Sequence, residues 1–236
     1  SSDVQGAVLE IQEDDCTRAF GGPRVTASDV LDVDASNPRA TLLADLRGAS
    51  SVASSRFDCI VLTQTVHVVD EADAVLRECH RMLKPGGVLL ATFPAASRVC
   101  LEYGQEGDFW RMTPAGASRL VERSFTPSHM SSATFGNVLT TTAFLHGVGA
   151  GELTDAEYAA TDPYHPALTG VRARKADGPR RLAPRGVVLL YHRVDPDPDA
   201  HGLALPPAGF RTGRVSRRGF RSRSWVRWRA PWRMWR

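Results

Sequence analysis

The sequence predicts an α/β fold: an open, mostly parallel sheet with helices on both faces. Three observations carry that prediction. Two short apolar runs, Phe57–Leu62 and 88–93, suit strands covered on both faces. Between them Ala72, Val75, Leu76, Cys79, Met82 and Leu83 recur at helical spacing. Lys84-Pro85-Gly86-Gly87 then stops the helix and permits the turn into the next strand, so the unit is a strand–helix–strand crossover of right-handed parallel type.

The other elements follow in chain order. Upstream, residues 8–11, 24–31 and 40–44 read as shorter strands. Only residues 12–23 separate the first two, about the minimum for a crossover, so the helix between them is stunted. Asp70 is positioned to cap the helix that joins the two apolar runs. Thr113-Pro114 reads as an N-cap with proline at the first helical position, and that helix runs to about Arg123. Residues 137–146 read as a further helix, and residues 154–160 as another, with Thr154 and Glu157 at capping-box spacing. Residues 168–175 read as the final strand. The first domain therefore spans 1–175, followed by a polar linker at 176–185, a new apolar strand from Gly186 to Arg193 with loop to Phe210, and a basic tail at 211–236.

Composition excludes several classes. The chain has 236 residues, 42% of them hydrophobic and 23% charged, which suits a folded domain rather than a disordered one. No apolar run approaches the roughly 18 residues of a membrane span, and no signal peptide is visible. Cys16, Cys59, Cys79 and Cys100 lie far apart without a CxxC pair, which argues against a metal site or disulfide framework and for a reducing, cytoplasmic setting. Cys59 and Cys79 fall on apolar faces and read as core. The net charge of +3 conceals a tail, 211–236, with ten arginines and no acid, so the first 210 residues carry a net of −7. The basic balance therefore says nothing about partners of the folded part.

In an open α/β sheet, ligands bind beyond the carboxyl ends of the strands near the switch point. Acids line that edge: Glu10, Glu13, Asp14 and Asp15 at the first strand, Asp29 or Asp32 at the second, and Asp45 beside Leu46 after the third. Thr63-Gln64-Thr65 follows the fourth. A dinucleotide needs a glycine-rich turn for its pyrophosphate, but this turn has no glycine until Gly21. Its acids would repel phosphate. S-adenosylmethionine, with an ammonium and a sulfonium but no phosphate, fits such an edge.

Taken in order, Val8-Leu9-Glu10-Ile11, Asp45-Leu46, Phe57–Leu62 and the segment ending Arg81-Met82-Leu83-Lys84-Pro85-Gly86-Gly87 resemble the class I S-adenosylmethionine-dependent methyltransferases of the type 11 group. Asp108-Phe109-Trp110-Arg111-Met112-Thr113 is similar to a segment found after the fifth strand in that group. The resemblance covers about 8–175 and implies a Rossmann-like fold, S-adenosylmethionine as cofactor, and methyl transfer to a small-molecule or glycan acceptor. It implies that Glu10 orients the methionine end, that Gln12 lies in the cofactor loop, and that Asp29, with Asp32 competing, binds ribose. Asp45 and Leu46 would lie beside adenine, and Thr63 and Gln64 would wall the methyl group. Gln12-Glu13-Asp14-Asp15-Cys16 stands where the family has its glycine-rich stretch. The chain also begins almost on the first strand, where such enzymes carry a covering helix. That favours a fragment, and a competing reading as a non-catalytic relic of a larger glycan-modifying protein.

No catalytic residue is fixed by the sequence. The candidates are His67, as substrate contact or base, and Trp110 and Arg111, as lining of an acceptor pocket. A structural hydrogen bond for His67, packing for Trp110 and a salt bridge for Arg111 are the plain alternatives. A second resemblance is shorter. Val188 to Val194, followed by Pro206-Pro207-Ala208-Gly209-Phe210, is similar to the opening strand of a polysaccharide deacetylase domain. The metal-binding motifs of that family do not follow, so His192 reads as a polar strand end. Only two lysines, Lys84 and Lys175, stand beside 27 arginines, which favours a shifted reading frame for the tail. The tail is expected to be disordered, and nucleic-acid binding by it is set aside.

Overall fold

The computed structural model describes residues 3–177. In chain order the elements are β1 (Gly6–Ile11), α1 (Asp15–Phe20), β2 (Val25–Asp32), β3 (Leu42–Leu43), β4 (Phe57–Leu62), α2 (Ala72–Met82), β5 (Leu83–Pro94), α3 (Pro114–Glu122), β6 (Met130–Phe135), α4 (Val138–Leu145), α5 (Asp155–Ala159) and β7 (Leu168–Arg174). They build a seven-stranded sheet of order β3-β2-β1-β4-β5-β7-β6. The first five in that order are parallel, and β7 runs antiparallel between β5 and β6. This is a Rossmann-like arrangement. The order of building reverses between β1 and β4, which opens a crevice beyond their carboxyl ends.

Alternation along the strands assigns each side chain to a face. Leu9 and Ile60 join the larger core, where α2 buries Ala72, Val75, Leu76, Cys79 and Met82 and α3 buries Ala117 and Val121. Each fully buried Leu or Phe contributes about 1.5–3 kcal/mol relative to exposure. Val8, Cys59 and Val61 point to the opposite face, where Val4 and the partly buried Cys16 of α1 complete a small second core. Burial pushes the thiols of Cys59 and Cys79 up to about 12, in keeping with packing roles. The six-residue α1 is the stunted helix expected from the short crossover.

Several elements differ from expectation. The third strand is only two residues, Leu42–Leu43. α2 starts from Glu71 with no side-chain cap, and the Asp70 carboxylate accepts from the adjacent Glu71 amide instead. β5 begins at Leu83, directly after α2, and carries Pro85 and Gly86 inside it. Gly86 has φ +77, and the pairing with β4 slips in register there, so the expected stop is a kinked strand entry rather than a separate turn. β6 was not expected at all, because its residues are mostly exposed at the sheet edge and show no apolar run. Thr113, Asn137 and Thr154 cap α3, α4 and α5 through their side chains, the last two as capping boxes. The linker from 178 onward, the deacetylase-like strand and the basic tail lie outside the described residues. Among the described residues no helix is long and apolar enough to cross a membrane.

Candidate cofactor and acceptor site

A crevice of about 600 Å³ opens beyond the carboxyl ends of β1, β2 and β4, within the size range of small-ligand sites. One side comes from β1 and β2 and the segment after β3: Ile11, Gln12, Asp32, Val33, Asp45 and Leu46. The floor is the segment after β4, from Gln64 to Asp70. The other side is the segment after β5, including Arg98, Cys100, Tyr103 and Phe109, with Phe144 added by α4.

On the first side, the turn after β1 works without glycine. Gln12 has φ +67, the left-handed region that favours glycine, and holds it by bonding. Its amide donates to the Leu31 carbonyl at 3.0 Å. Its carbonyl accepts from Asn37 Nδ2 at 2.8 Å, and the same nitrogen donates to Asp32 Oδ2 at 2.6 Å. Asp32 ends β2, is buried, and also accepts from the Asp34 amide through Oδ1. Each carboxylate oxygen can accept twice, so Asp32 keeps capacity toward the crevice. Leu46 is buried against it. Asp45 is gripped by Arg47, which reaches its two oxygens at 2.6 to 3.1 Å and also lies 3.5 Å from Asp70. The Arg47 bonds hold the Asp45 carboxyl below its usual range.

Two expected site acids lie elsewhere. Glu10 shares the α1 face with Val8 and is 1% exposed, and it does not line the crevice. Its carboxylate accepts from Cys16 N, Thr17 N and Thr17 Oγ1. The expectation of a strand-end side chain is therefore corrected: Glu10 is a buried acid that fixes the start of α1. Asp29 sits inside β2, ion-paired with Arg56 at 2.6 Å and hydrogen-bonded by Thr41. Its competitor Asp32 is the one brought to the crevice. Thr63 and Gln64 part company. Gln64 lines the crevice with φ +47, whereas Thr63 faces a shallower apolar groove on the opposite face.

Of the catalytic candidates, only His67 lines the crevice. It sits in the short helical turn Val66–Val68. Its Nδ1 is buried without a hydrogen-bond partner. Burial holds its pKa below the ordinary 6.5, Arg111 adds to that, and Asp108 opposes it. Trp110 donates from Nε1 to the Val69 carbonyl and packs outside the crevice, beside α2 and α3. Arg111 is clasped by Asp108 through two bonds of 2.6 and 2.7 Å and donates to the carbonyls of Ser97 and Arg98. It organises the segment after β5 rather than facing the crevice. Arg98, Glu102, Tyr103, Phe109 and Phe144 are lining residues the sequence reading missed. The signal was available for all but Phe144, since they follow β5 just as the named acids follow the other strands.

The side of the crevice built by β1, β2 and the segment after β3, together with the floor, suits a nucleoside that carries positive charge and no phosphate. It offers acids at the ends of β2 and β3 and apolar Leu46 and Val69 between them, and Arg47 is already committed to Asp45 and Asp70.

The family model described as a methyltransferase domain matches residues 24–91. No curated protein matches the chain. Among solved structures it is similar to an S-adenosylmethionine-dependent methyltransferase from Archaeoglobus fulgidus, at 12% identity and a TM-score of 0.48, over 73% of this chain and 87% of that one. It is also similar to a Thermotoga maritima methyltransferase, at 15% identity and a TM-score of 0.47, over 72% and 82%. A third likeness is to the Haemonchus contortus phosphoethanolamine N-methyltransferase 2 in complex with S-adenosyl-L-methionine, at 12% identity and a TM-score of 0.49. There the match covers 73% of this chain and 49% of that one.

Proposed function

We infer that the chain is an S-adenosylmethionine-dependent methyltransferase acting on a small-molecule or glycan acceptor. The methyltransferase-domain match over residues 24–91 supports both the activity and the cofactor. The observation that carries the reading to particular residues is the crevice at the β1/β4 switch point, with Asp32 at the end of β2 and Asp45 after β3.

In this reading Asp32 accepts from the ribose hydroxyls, Asp45 and Leu46 flank the adenine, and Gln12 and Gln64 border the methionine end. When bound, the cofactor supplies a methyl group on a positively charged sulfur for an acceptor nucleophile. The residues of the chain place that nucleophile and exclude water, and positioning of this kind supplies much of the rate. His67, which lines the crevice and is kept neutral at pH 7 by its lowered pKa, takes the acceptor's proton. Asp108 and Arg111 hold the segment that closes the acceptor side.

The test is calorimetry of the full chain with S-adenosylmethionine and S-adenosylhomocysteine. Saturable binding of both is expected. A cooperatively melting chain that takes up neither overturns the reading in favour of a non-catalytic relic.

A further inference from the structure

We propose that the β5 side of the crevice selects a zwitterionic aromatic acceptor, a small molecule carrying a ring, a carboxylate and an ammonium, with Arg98 and Glu102 reading the two charges. The proposal rests on the methyltransferase reading above and narrows its acceptor.

The charged side chains around the crevice sort by what they already hold. Asp32 accepts from Asp34 N and Asn37. Asp45, Arg47 and Asp70 satisfy one another. Arg98 and Glu102 remain: both are exposed, both line the crevice, and neither side chain has a hydrogen bond or ion pair among the described residues. They carry opposite charges on one segment and do not pair with each other. Two unlike charges left open on one wall match a ligand that brings the complementary pair. A neutral sugar can hydrogen-bond to both side chains but brings a complementary charge to neither.

The segment is also fixed, as a recognition surface requires. The Arg98 carbonyl accepts from Arg111 Nη2 at 2.6 Å, and the Cys100 amide donates to Asp108 at 2.7 Å. Gly104 N donates to the Cys100 carbonyl at 3.0 Å. Tyr103 Oη accepts from Gln12 Nε2 at 3.1 Å and so ties this wall to the turn after β1. Arg111 is thus a positioning residue for Arg98. The same crevice is also lined by aromatic side chains. Tyr103, Phe109 and Phe144 are 41%, 45% and 55% exposed, so about half of each is left uncovered. A ring seated among them recovers apolar burial and stacking.

The experiment is calorimetry on the full chain saturated with S-adenosylhomocysteine. The probes are L-tyrosine, tyramine (ammonium only), 3-(4-hydroxyphenyl)propionate (carboxylate only) and methyl glucoside. L-Tyrosine is expected to bind tightest, each singly charged probe about tenfold weaker or worse. Arg98→Gln should erase the advantage of tyrosine over tyramine, and Glu102→Gln its advantage over the propionate. Neither change should alter S-adenosylhomocysteine affinity, and melting curves check that both variants fold. Equal binding of the four probes, tightest binding of the glucoside, or no binding by any of them overturns the proposal alone. So does a loss of S-adenosylhomocysteine affinity in Arg98→Gln, which would place Arg98 on the cofactor's own carboxylate. A folded parent that does not bind S-adenosylhomocysteine overturns the methyltransferase reading, and the acceptor assignment with it.

Discussion

Glu10 and Thr17 are joined twice: one carboxylate oxygen of Glu10 accepts from both the amide and the hydroxyl of Thr17, at 2.9 Å each. The other oxygen accepts from the Cys16 amide at 3.1 Å. A 1%-exposed acid with three donors aimed at it holds the strand-to-helix connection together, in place of a glycine-rich turn. Glu10→Gln puts an amide donor among those donors. It is expected to cost about 1–3 kcal/mol of stability, or about 3–10 °C in Tm. Affinity for S-adenosylhomocysteine should stay within about twofold, since a side chain outside the crevice gives up no direct contact. A variant with parental Tm and lost affinity would return Glu10 to the cofactor.

Asp32 and Asp29 separate in the opposite sense. Asp32 reaches the crevice, whereas Asp29 is occupied by Arg56 and Thr41. Asp32→Asn is therefore expected to weaken cofactor binding by about 5- to 150-fold, the equivalent of about 1–3 kcal/mol. Asp29→Asn should leave affinity unchanged and lower stability by under about 1 kcal/mol, because its pair with Arg56 is partly exposed. Paired calorimetry and urea unfolding check this, and affinity lost in Asp29→Asn but kept in Asp32→Asn would reverse the assignment.

These two acids show what was legible in the sequence and why. Strands buried on both faces announce themselves as apolar runs, so Phe57–Leu62 was readable with its borders. β6 was not, because an exposed edge strand has no apolar constraint to write into Met130–Phe135. The acidic edge was readable as composition along the strand ends. Which acid faces the crevice was not, since that depends on pleat and register. Glu10 lies opposite Val30 and Val61 and shares the face of Val8, and β2 runs one residue further than expected, to Asp32. The clasp between Asp108 and Arg111 lies outside any regular element, so no periodicity pointed to it.

That clasp makes a prediction in acid. The Asp108 side chain is fully buried against Arg111, whose hydrogen bonds lower its pKa from 3.8 to about 2. A carboxyl whose folded pKa lies below its unfolded one adds stability above the unfolded value, and that stability is lost as pH falls toward the folded value. The window here runs from about pH 4 down to about pH 2, and the linkage amounts to about 2 kcal/mol. Arg111→Gln should therefore be less stable than the parent by at least about that much at pH 7, with the gap closing by about pH 2. Urea unfolding at pH 7, 4, 3 and 2 measures it. A gap that persists unchanged at pH 2 would show that packing of Arg111, rather than its charge on Asp108, holds the segment.

The base role proposed for His67 puts stability and catalysis on one titration. Burial lowers its pKa from 6.5, so the unfolded chain takes up the proton more readily than the folded one. The stability owed to neutral His67 is thus present above pH 6.5 and falls away as the pH drops below it. A base with that titration gives a methyl-transfer rate that rises through a pKa below 6.5 and is level by neutrality. His67→Gln should cut kcat by about 10²- to 10⁴-fold, leave S-adenosylhomocysteine affinity alone, and remove the acid limb of the rate profile. It should also flatten the fall of stability expected of the parent below pH 6.5. The measurement is kcat and kcat/KM against pH for parent and variant with the acceptor that binds best, the acid limb being read from kcat/KM, alongside urea unfolding over the same range. If kcat and the acid limb survive in His67→Gln while the stability slope disappears, His67 is a buried structural histidine and the proton leaves the acceptor by another route.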